Sequence, residues 1–356
     1  MVKKIWSPLL GLCLCALQAH GAEYYQGLRS PRALAMGNTG VAAANDSYAL
    51  SYNPAVLANT KKWWVDYAAW TVEGSNGLTA LDVLPSIAQL TYPYVQETGL
   101  AEASRASFLL KADPHIRATA GLNFVAHLAD EGLAVGANYL REVTIQGLNS
   151  NTVLYQRNDR ITQTGFSLPL GQGSLILGVG FRQIDRRDAS SDGTAVPSFP
   201  STYQQGRAYD VGLLWRMANA ARVTWGLVVQ NYGSMDIGTT KAAEPQEVHG
   251  GVNLSLEFGI FKLVPTLDIR GLQTTREREN RIHAGVELGL FPNETGGNWL
   301  SLRAGSNEGY ATSGAELNLA NHGMILGASR YYEEIGTSTA KQQSSERILA
   351  YFSLGF

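Results

Sequence analysis

The sequence predicts an all-β protein, a transmembrane antiparallel β-barrel of about fourteen strands. Three observations carry this reading: a composition too poor in charge for an aqueous surface, two-residue alternation along most of the chain, and connections that are short and long by turns. Of 356 residues, 45% are hydrophobic and only 16% charged, against roughly 25% charged in soluble domains. Mean hydropathy is −0.10, with 38 glycines and 16 tyrosines. Disorder needs high charge and few aromatics. A helical membrane protein needs several runs of about 20 apolar residues, and the chain has none of these features. A soluble α/β enzyme of this length would carry more Lys and Glu.

Residues 1–22 read as a secretory signal peptide. Lys3 and Lys4 give the positive start, an apolar stretch runs from Ile5 to Leu17, and Ala19, Gly21 and Ala22 close it. Cleavage after Gly21 or after Ala22 both leave a mature chain without cysteine, because Cys13 and Cys15 lie inside the signal. Disulfides, thiol catalysis and cysteine metal sites are thereby excluded. Removing Lys3 and Lys4 from the 28 basic residues leaves 26 against 30 acidic ones, a net charge of −4. No basic patch is present, so nucleic acid is not an expected partner.

A barrel wall requires strands of about 9–11 residues that alternate lipid-facing apolar with lumen-facing polar or small side chains. Residues 281–291 do so most cleanly. Ile282, Ala284, Val286, Leu288 and Leu290 face one way, and Arg281, His283, Gly285, Glu287 and Gly289 the other. Residues 248–258 and 261–270 repeat the pattern, which a helix cannot keep. Approximate strands follow at 61–73, 115–128, 132–145, 152–169, 173–186, 206–217, 221–232, 246–258, 260–272, 279–291, 298–306, 309–320, 322–333 and 344–356. An even count puts both ends on the periplasmic side. The connections then segregate, brief at 129–131, 170–172, 218–220, 259, 292–297 and 321, and long at 74–114, 187–205, 233–245 and 334–343. Boundaries over 146–160 are indistinct, so twelve strands stay open beside fourteen. Pro265 removes a ladder bond and predicts a bulge or kink. Trp63, Trp64, Trp215, Phe258, Phe261, Phe291 and Phe356 suit a periplasmic aromatic girdle, and Tyr139, Tyr331 and Tyr332 the outer one.

At the end of the chain, Ile348, Ala350, Phe352, Leu354 and Phe356 share one face at period two. This resembles the closing strand of bacterial outer-membrane barrels, whose terminal aromatic is read by the barrel-assembly machinery. The resemblance makes Phe352, Leu354 and Phe356 the assembly signal, and outer-membrane lipid and that machinery the expected partners.

Residues 23–60 do not alternate and are rich in small side chains. They contain, in order, Arg32-Ala33, Met36-Gly37, Gly40-Val41-Ala42, Asn45-Asp46 and Asn53-Pro54-Ala55. Over these roughly 30 residues the sequence resembles the FadL-like superfamily, which takes in the long-chain fatty-acid transporter, PorV-type secretion barrels and TraF-like conjugal-transfer barrels. The resemblance implies that 23–60 is a hatch in the lumen of the barrel formed by 61–356, with Met36, Gly37, Gly40, Asn53, Pro54 and Ala55 as its motif. Asn53 would satisfy backbone groups beside Pro54, which cannot donate. The first outer loop, 74–114, carries apolar residues near helical spacing and predicts a partly helical insertion.

Catalytic signatures are missing. His115, His127, His249, His283 and His322 show no metal-binding spacing, no Gly-x-Ser-x-Gly elbow occurs, and Gly178-Val179-Gly180 lacks the third glycine of a dinucleotide loop. No enzyme activity, metal or cofactor is expected. His249 and His283 fall on polar strand faces, where lumenal hydrogen bonding is the expected role. Arg182, Arg216, Arg270, Arg281 and Arg303 with Asp210, Asp268 and Glu287 predict charge networks across the lumen. The resemblance implies a plugged outer-membrane channel taking up hydrophobic small molecules such as fatty acids. The other reading it allows is a structural or partner-binding barrel of a secretion or conjugal-transfer system.

Overall fold

Two-residue alternation can be obeyed only if each strand finds a neighbour on both sides, and the chain meets that demand by closing on itself. The computed structural model describes residues 28–75, 114–129, 132–148, 153–191, 200–217, 222–238, 244–273, 281–292, 297–319, 323–334 and 344–355. The predicted signal 1–22, most of the predicted helical loop 74–114, His322 and Phe356 lie outside the described residues.

The strands are β1 (Trp63–Ser75), β2 (His115–His127), β3 (Ala134–Leu148), β4 (Val153–Leu170), β5 (Leu175–Ser191), β6 (Gln204–Arg216) and β7 (Thr224–Tyr232). They continue as β8 (Glu247–Asn253 and, after a break, Leu256–Phe258), β9 (Phe261–Ile269) and β10 (Ile282–Pro292). The last four are β11 (Asn298–Asn307), β12 (Tyr310–Leu319), β13 (Met324–Glu334) and β14 (Ser344–Gly355). Each pairs antiparallel with the next, and β14 pairs with β1, so the fourteen strands form a closed barrel without an edge. The count is fourteen, not twelve.

Side chains sort by parity. Phe166, Leu168, Leu177, Val179, Val211, Trp215, Leu227, Leu302 and Ile348 are exposed on the outside, while Asn138, Gln163, Arg182, Asp210, His283 and Arg303 are buried inside. In β14, Ile348, Ala350, Phe352 and Leu354 keep one parity, opposite to the buried Arg347 and Leu349. A closed ladder with an apolar outer band satisfies every backbone group in lipid.

Three expectations are corrected. Trp64 points inward and is buried, whereas its neighbour Trp63 is exposed, because adjacent strand residues cannot share a face. Tyr331 is likewise fully buried, and Tyr332, not Tyr331, stacks on Tyr310 with ring centroids 6.0 Å apart. Pro265 stays in register with Val286 on β10, and the break falls instead on β8 opposite it, at residues 254–255. There the Leu254 amide donates to the Pro265 carbonyl at 3.0 Å, and Pro265 has no N–H to return the bond.

A bulge not foreseen in the sequence sits in β1, where the register shifts after Asp66 against both β14 and β2. The Asp66 carboxylate organises it, accepting from Trp64 Nε1 at 2.8 Å, Asn123 Nδ2 at 3.0 Å and Ser353 Oγ at 2.6 Å. An extra residue in one strand bends the wall locally.

The closed ladder has a simple physical consequence. Unheated protein in mild detergent is expected to run faster on a denaturing gel than boiled protein. A single band unaffected by heating would contradict a closed barrel.

Candidate functional site

Residues 28–60 lie within the barrel, and the local sequence explains their path. Helix α1 (Pro31–Ala35) is one turn long, with Pro31 at its first position and the Ser30 hydroxyl capping the Ala33 amide at 3.3 Å. It ends at Met36 because Gly37 and Asn38 take left-handed conformations, with φ of 69° and 63°. Gly37 is required on two counts. Besides its φ, a Cβ there would lie 2.3 Å from the Ala284 carbonyl oxygen and 2.4 Å from that of Ser306. The Gly37 amide donates to Thr312 Oγ1 at 2.9 Å, and His283 Nδ1 sits 3.0 Å from the Gly37 carbonyl. Met36 is fully buried against Gly285 and Gly305.

The Gly40-Val41 turn is held from the wall. One Asp268 oxygen accepts from both the Gly40 amide at 2.7 Å and the Val41 amide at 3.0 Å. Tyr52 packs its ring on Gly40, accepts from the Ser30 amide at 3.1 Å and donates to Asn38 Oδ1 at 2.9 Å. Burial pushes this hydroxyl up to about 12, so it remains a neutral donor.

Asn53 does what its place before proline demands. Its Oδ1 accepts from the Ala55 amide at 3.0 Å, starting the 3₁₀ turn Pro54–Asn59, and its Nδ2 donates to the Val41 carbonyl at 2.9 Å. The wall is cut back to admit it. A Cβ on Gly212 would lie 1.8 Å from Asn53 Oδ1, and one on Gly178 would lie 2.1 Å from the Ala55 nitrogen. Gly178 and Gly180, which the sequence offered only as a failed dinucleotide loop, are thus seats for Pro54 and Ala55. The missed signal was glycine recurring at lumen-facing parity on neighbouring strands.

Ion pairs complete the attachment. Arg29 pairs with Glu333 at 2.6 Å, Arg32 with Glu287 at 2.9 Å, and Arg303 joins Glu287 at 2.7 Å to Glu316 at 3.0 Å. All these side chains are buried or nearly so. Of the networks predicted, Arg182–Asp210 forms at 2.7 Å, but Arg270 donates to the Asn38 carbonyl and Arg216 to the Ala58 carbonyl instead of to acids. His249 and His283 both bond to neighbours as lumenal residues, His249 receiving the Gly271 amide at 3.0 Å.

Cavities flank the segment. One of about 60 Å³ lies at the β1 bulge, bounded by Trp64, Asp66, Tyr48 and Tyr351 from inside and by Trp70 and Phe352 from the outward parity. Two more open at the end with the short connections. The larger, about 430 Å³, is lined by Arg32, Arg216, Arg222 and Lys262 with Asn45 and Asn59. The smaller, about 200 Å³, shares Arg32 and Lys262 and adds Lys61, whose ammonium burial pushes down to about 8.

No family model and no curated protein matches the sequence. Solved structures do. The chain superposes on a Pseudomonas putida toluene transporter, TodX, with a TM-score of 0.52 and 12% identity, covering 94% of this chain and 99% of that one. A deltaS2S3 mutant of TodX, a monoaromatic hydrocarbon channel, gives 0.56 at 13% identity over 91% and 97%. A Pseudomonas aeruginosa FadL homologue gives 0.52 at 10% identity over 94% and 99%. The chain therefore has the fold of these barrels over 91–94% of its length.

Loss of the Asn53 side chain isolates its effect on the inner segment. Asn53→Ala removes two buried hydrogen bonds, each worth about 1 kcal/mol. Amide exchange over residues 40–58 is expected to rise roughly tenfold to hundredfold, with β10–β12 unchanged. Mass-spectrometric exchange in detergent measures this, and unaltered protection would refute the role given to Asn53.

Proposed function

We propose that this protein is a bacterial outer-membrane channel for uptake of hydrophobic small molecules, with residues 28–60 as its hatch. The observation that carries the reading is how the segment is held. It joins no β-ladder of the wall and is fixed by hydrogen bonds, ion pairs and contacts with glycines, all of which can be exchanged without unfolding a strand. A wide barrel left empty would leak water, so a filled lumen with a detachable filling supports gated passage. Likeness of fold to a toluene transporter and a FadL homologue supports a hydrophobic cargo, although a fold alone does not fix a function.

The cavity at the β1 bulge adds a route. It is lined by residues of both parities, Asp66 and Tyr351 of the inward set and Trp70 and Phe352 of the outward set. An apolar molecule could pass there between lumen and bilayer without crossing the cationic mouth at the other cavities. Nothing in the geometry favours a docking or secretion role over this one.

Uptake decides the matter. Cells lacking the gene and complemented cells are compared for accumulation of radiolabelled long-chain fatty acid and of radiolabelled aromatic hydrocarbon. Complementation is expected to restore uptake of at least one, and unchanged uptake of both would sink the proposal. The hatch is tested separately by Arg29→Ala with Arg32→Ala, which strands Glu333 as a buried charge at a cost of about 3–5 kcal/mol and leaves Glu287 to Arg303 alone. Higher single-channel conductance in planar bilayers than in the wild type is the expected outcome. Equal conductance would deny the segment its gating role.

A further inference from the structure

Among the described residues, one thin apolar band lines the lumen on β3 to β6 beside the inner segment. Leu140, Ile161, Ile184 and Ala208 project inward from β3 to β6, with Leu140 directly opposite Ile161 and Ile161 opposite Ile184 in the ladders. On the side towards the inner segment, Asn138 and Ser51 hydrogen-bond Gln163, and Arg182 pairs with Asp210. On the other side, Glu142 pairs with Arg157 and Asp159 with Arg186. The band is thus one side chain high, between two polar layers.

The surface that covers it belongs to the connection between β7 and β8. Met235 is fully buried on the band and Ile237 almost so, alongside Leu28 and Tyr48. This stretch is folded inward at a backbone cost. Asn231, Gly233, Ser234 and Gly238 all have positive φ, of 52°, 84°, 67° and 66°, a region that side-chain-bearing residues rarely adopt. A two-bond bridge between Met235 and Glu244, at 2.8 Å each way, closes the fold-back, and Asn231, Gly233 and Gln246 add hydrogen bonds at its base. A tightly turned backbone, with Asn231 and Ser234 in a conformation that side-chain-bearing residues rarely adopt, places two apolar side chains in an apolar slot.

We propose that this band is a binding site for the apolar body of the transported molecule, an aliphatic chain or a benzene-sized ring, and that Met235 and Ile237 occupy it as an internal competitor. The inference rests on the channel reading and gives that channel a specific site. Met235 is unbranched and adaptable, so withdrawal of the fold-back exposes a slot lined by Leu140, Ile161 and Ile184. Gly206 and Ala208 leave it room on β6. A cargo entering from the side of the long connections then exchanges one apolar occupant for another, without baring the band to water.

Competition is reciprocal, so ligand must raise the exposure of residue 237. With Ile237→Cys in the full-length purified protein, maleimide labelling is expected to quicken at least fivefold at saturating oleate or toluene. No acceleration by either compound would overturn the proposal. A lock tests the same point in cells. A Cβ on Gly206 would fall 2.5 Å from Ile237 Cγ1, so positions 206 and 237 face each other in direct contact. Gly206→Cys with Ile237→Cys is expected to lose uptake at least tenfold when oxidised and regain it with dithiothreitol. Full uptake with the disulfide formed would overturn the site. Met235→Ser with Ile237→Ser removes the competitor without a crosslink, and several-fold tighter binding of oleate or toluene is expected, whereas unchanged or weaker binding counts against it. Wild-type cells that take up neither compound would defeat the channel reading itself and this site with it; normal uptake with an ineffective lock would defeat the site alone.

Discussion

In hydrocarbon, an unpaired backbone amide or carbonyl costs several kcal/mol, and that constraint organises this molecule. It forces closure, with β14 on β1, and closure forces strict parity. Parity in turn divides the residues of each strand between two solvents. The low charge of the chain follows, since outward positions must be apolar, and charges gather where lumenal parity allows them. Even the departures conform. The β1 bulge is paid for by three donors converging on Asp66, and the gap opposite Pro265 lies where one amide is missing.

Closure creates a second requirement, because the inside of so wide a barrel is too broad for wall side chains to fill. The inner segment fills it by approach of backbone to backbone, which is why glycine lies opposite its turns. Gly178, Gly212, Gly285 and Gly305 each stand where a methyl group would strike the segment. The remaining attachment is electrostatic. Buried ion pairs add little net stability over apolar packing, yet removing one partner is expensive. Such contacts fix one position sharply while leaving the segment separable as a unit. Arg32 and Arg303 sharing Glu287 illustrate this, one cation from the segment and one from the wall.

The wall was legible in the sequence because its signal is periodic and repeated. Strand ends differ from expectation by only a few residues, as at Trp63–Ser75 against 61–73. Parity was misread only where two aromatics are adjacent, at Trp63-Trp64 and Tyr331-Tyr332, since residue type does not say which of two neighbours faces lipid. The contacts of residues 28–60 were much less legible. Asn53, Met36-Gly37 and Gly40 stood out as motifs, but their partners, Gly212, Asp268, His283 and Thr312, lie some 160 to 275 residues away. No local pattern encodes such a pairing. Gly178-Val179-Gly180 was visible and rightly set aside as a dinucleotide loop, but the seat it makes for Ala55, more than a hundred residues earlier, has no local signal.

The same division explains how the fold can be shared with other barrels at 10–13% identity. A lipid-facing position asks only for an apolar side chain, so Leu, Ile, Val and Phe exchange there at little cost. Lumenal positions ask for more, but only where the inner segment touches them. At Gly212 or Gly178 any Cβ is excluded, and at Asp268 two backbone donors need one acceptor. Elsewhere in the lumen, paired charges can trade places or be replaced together. The specification of the fold is therefore spread thinly over parity and concentrated at a few contacts with the inner segment. Those contacts are also the ones that the proposed gated passage would have to break, so what fixes the resting structure and what such passage would displace are the same bonds.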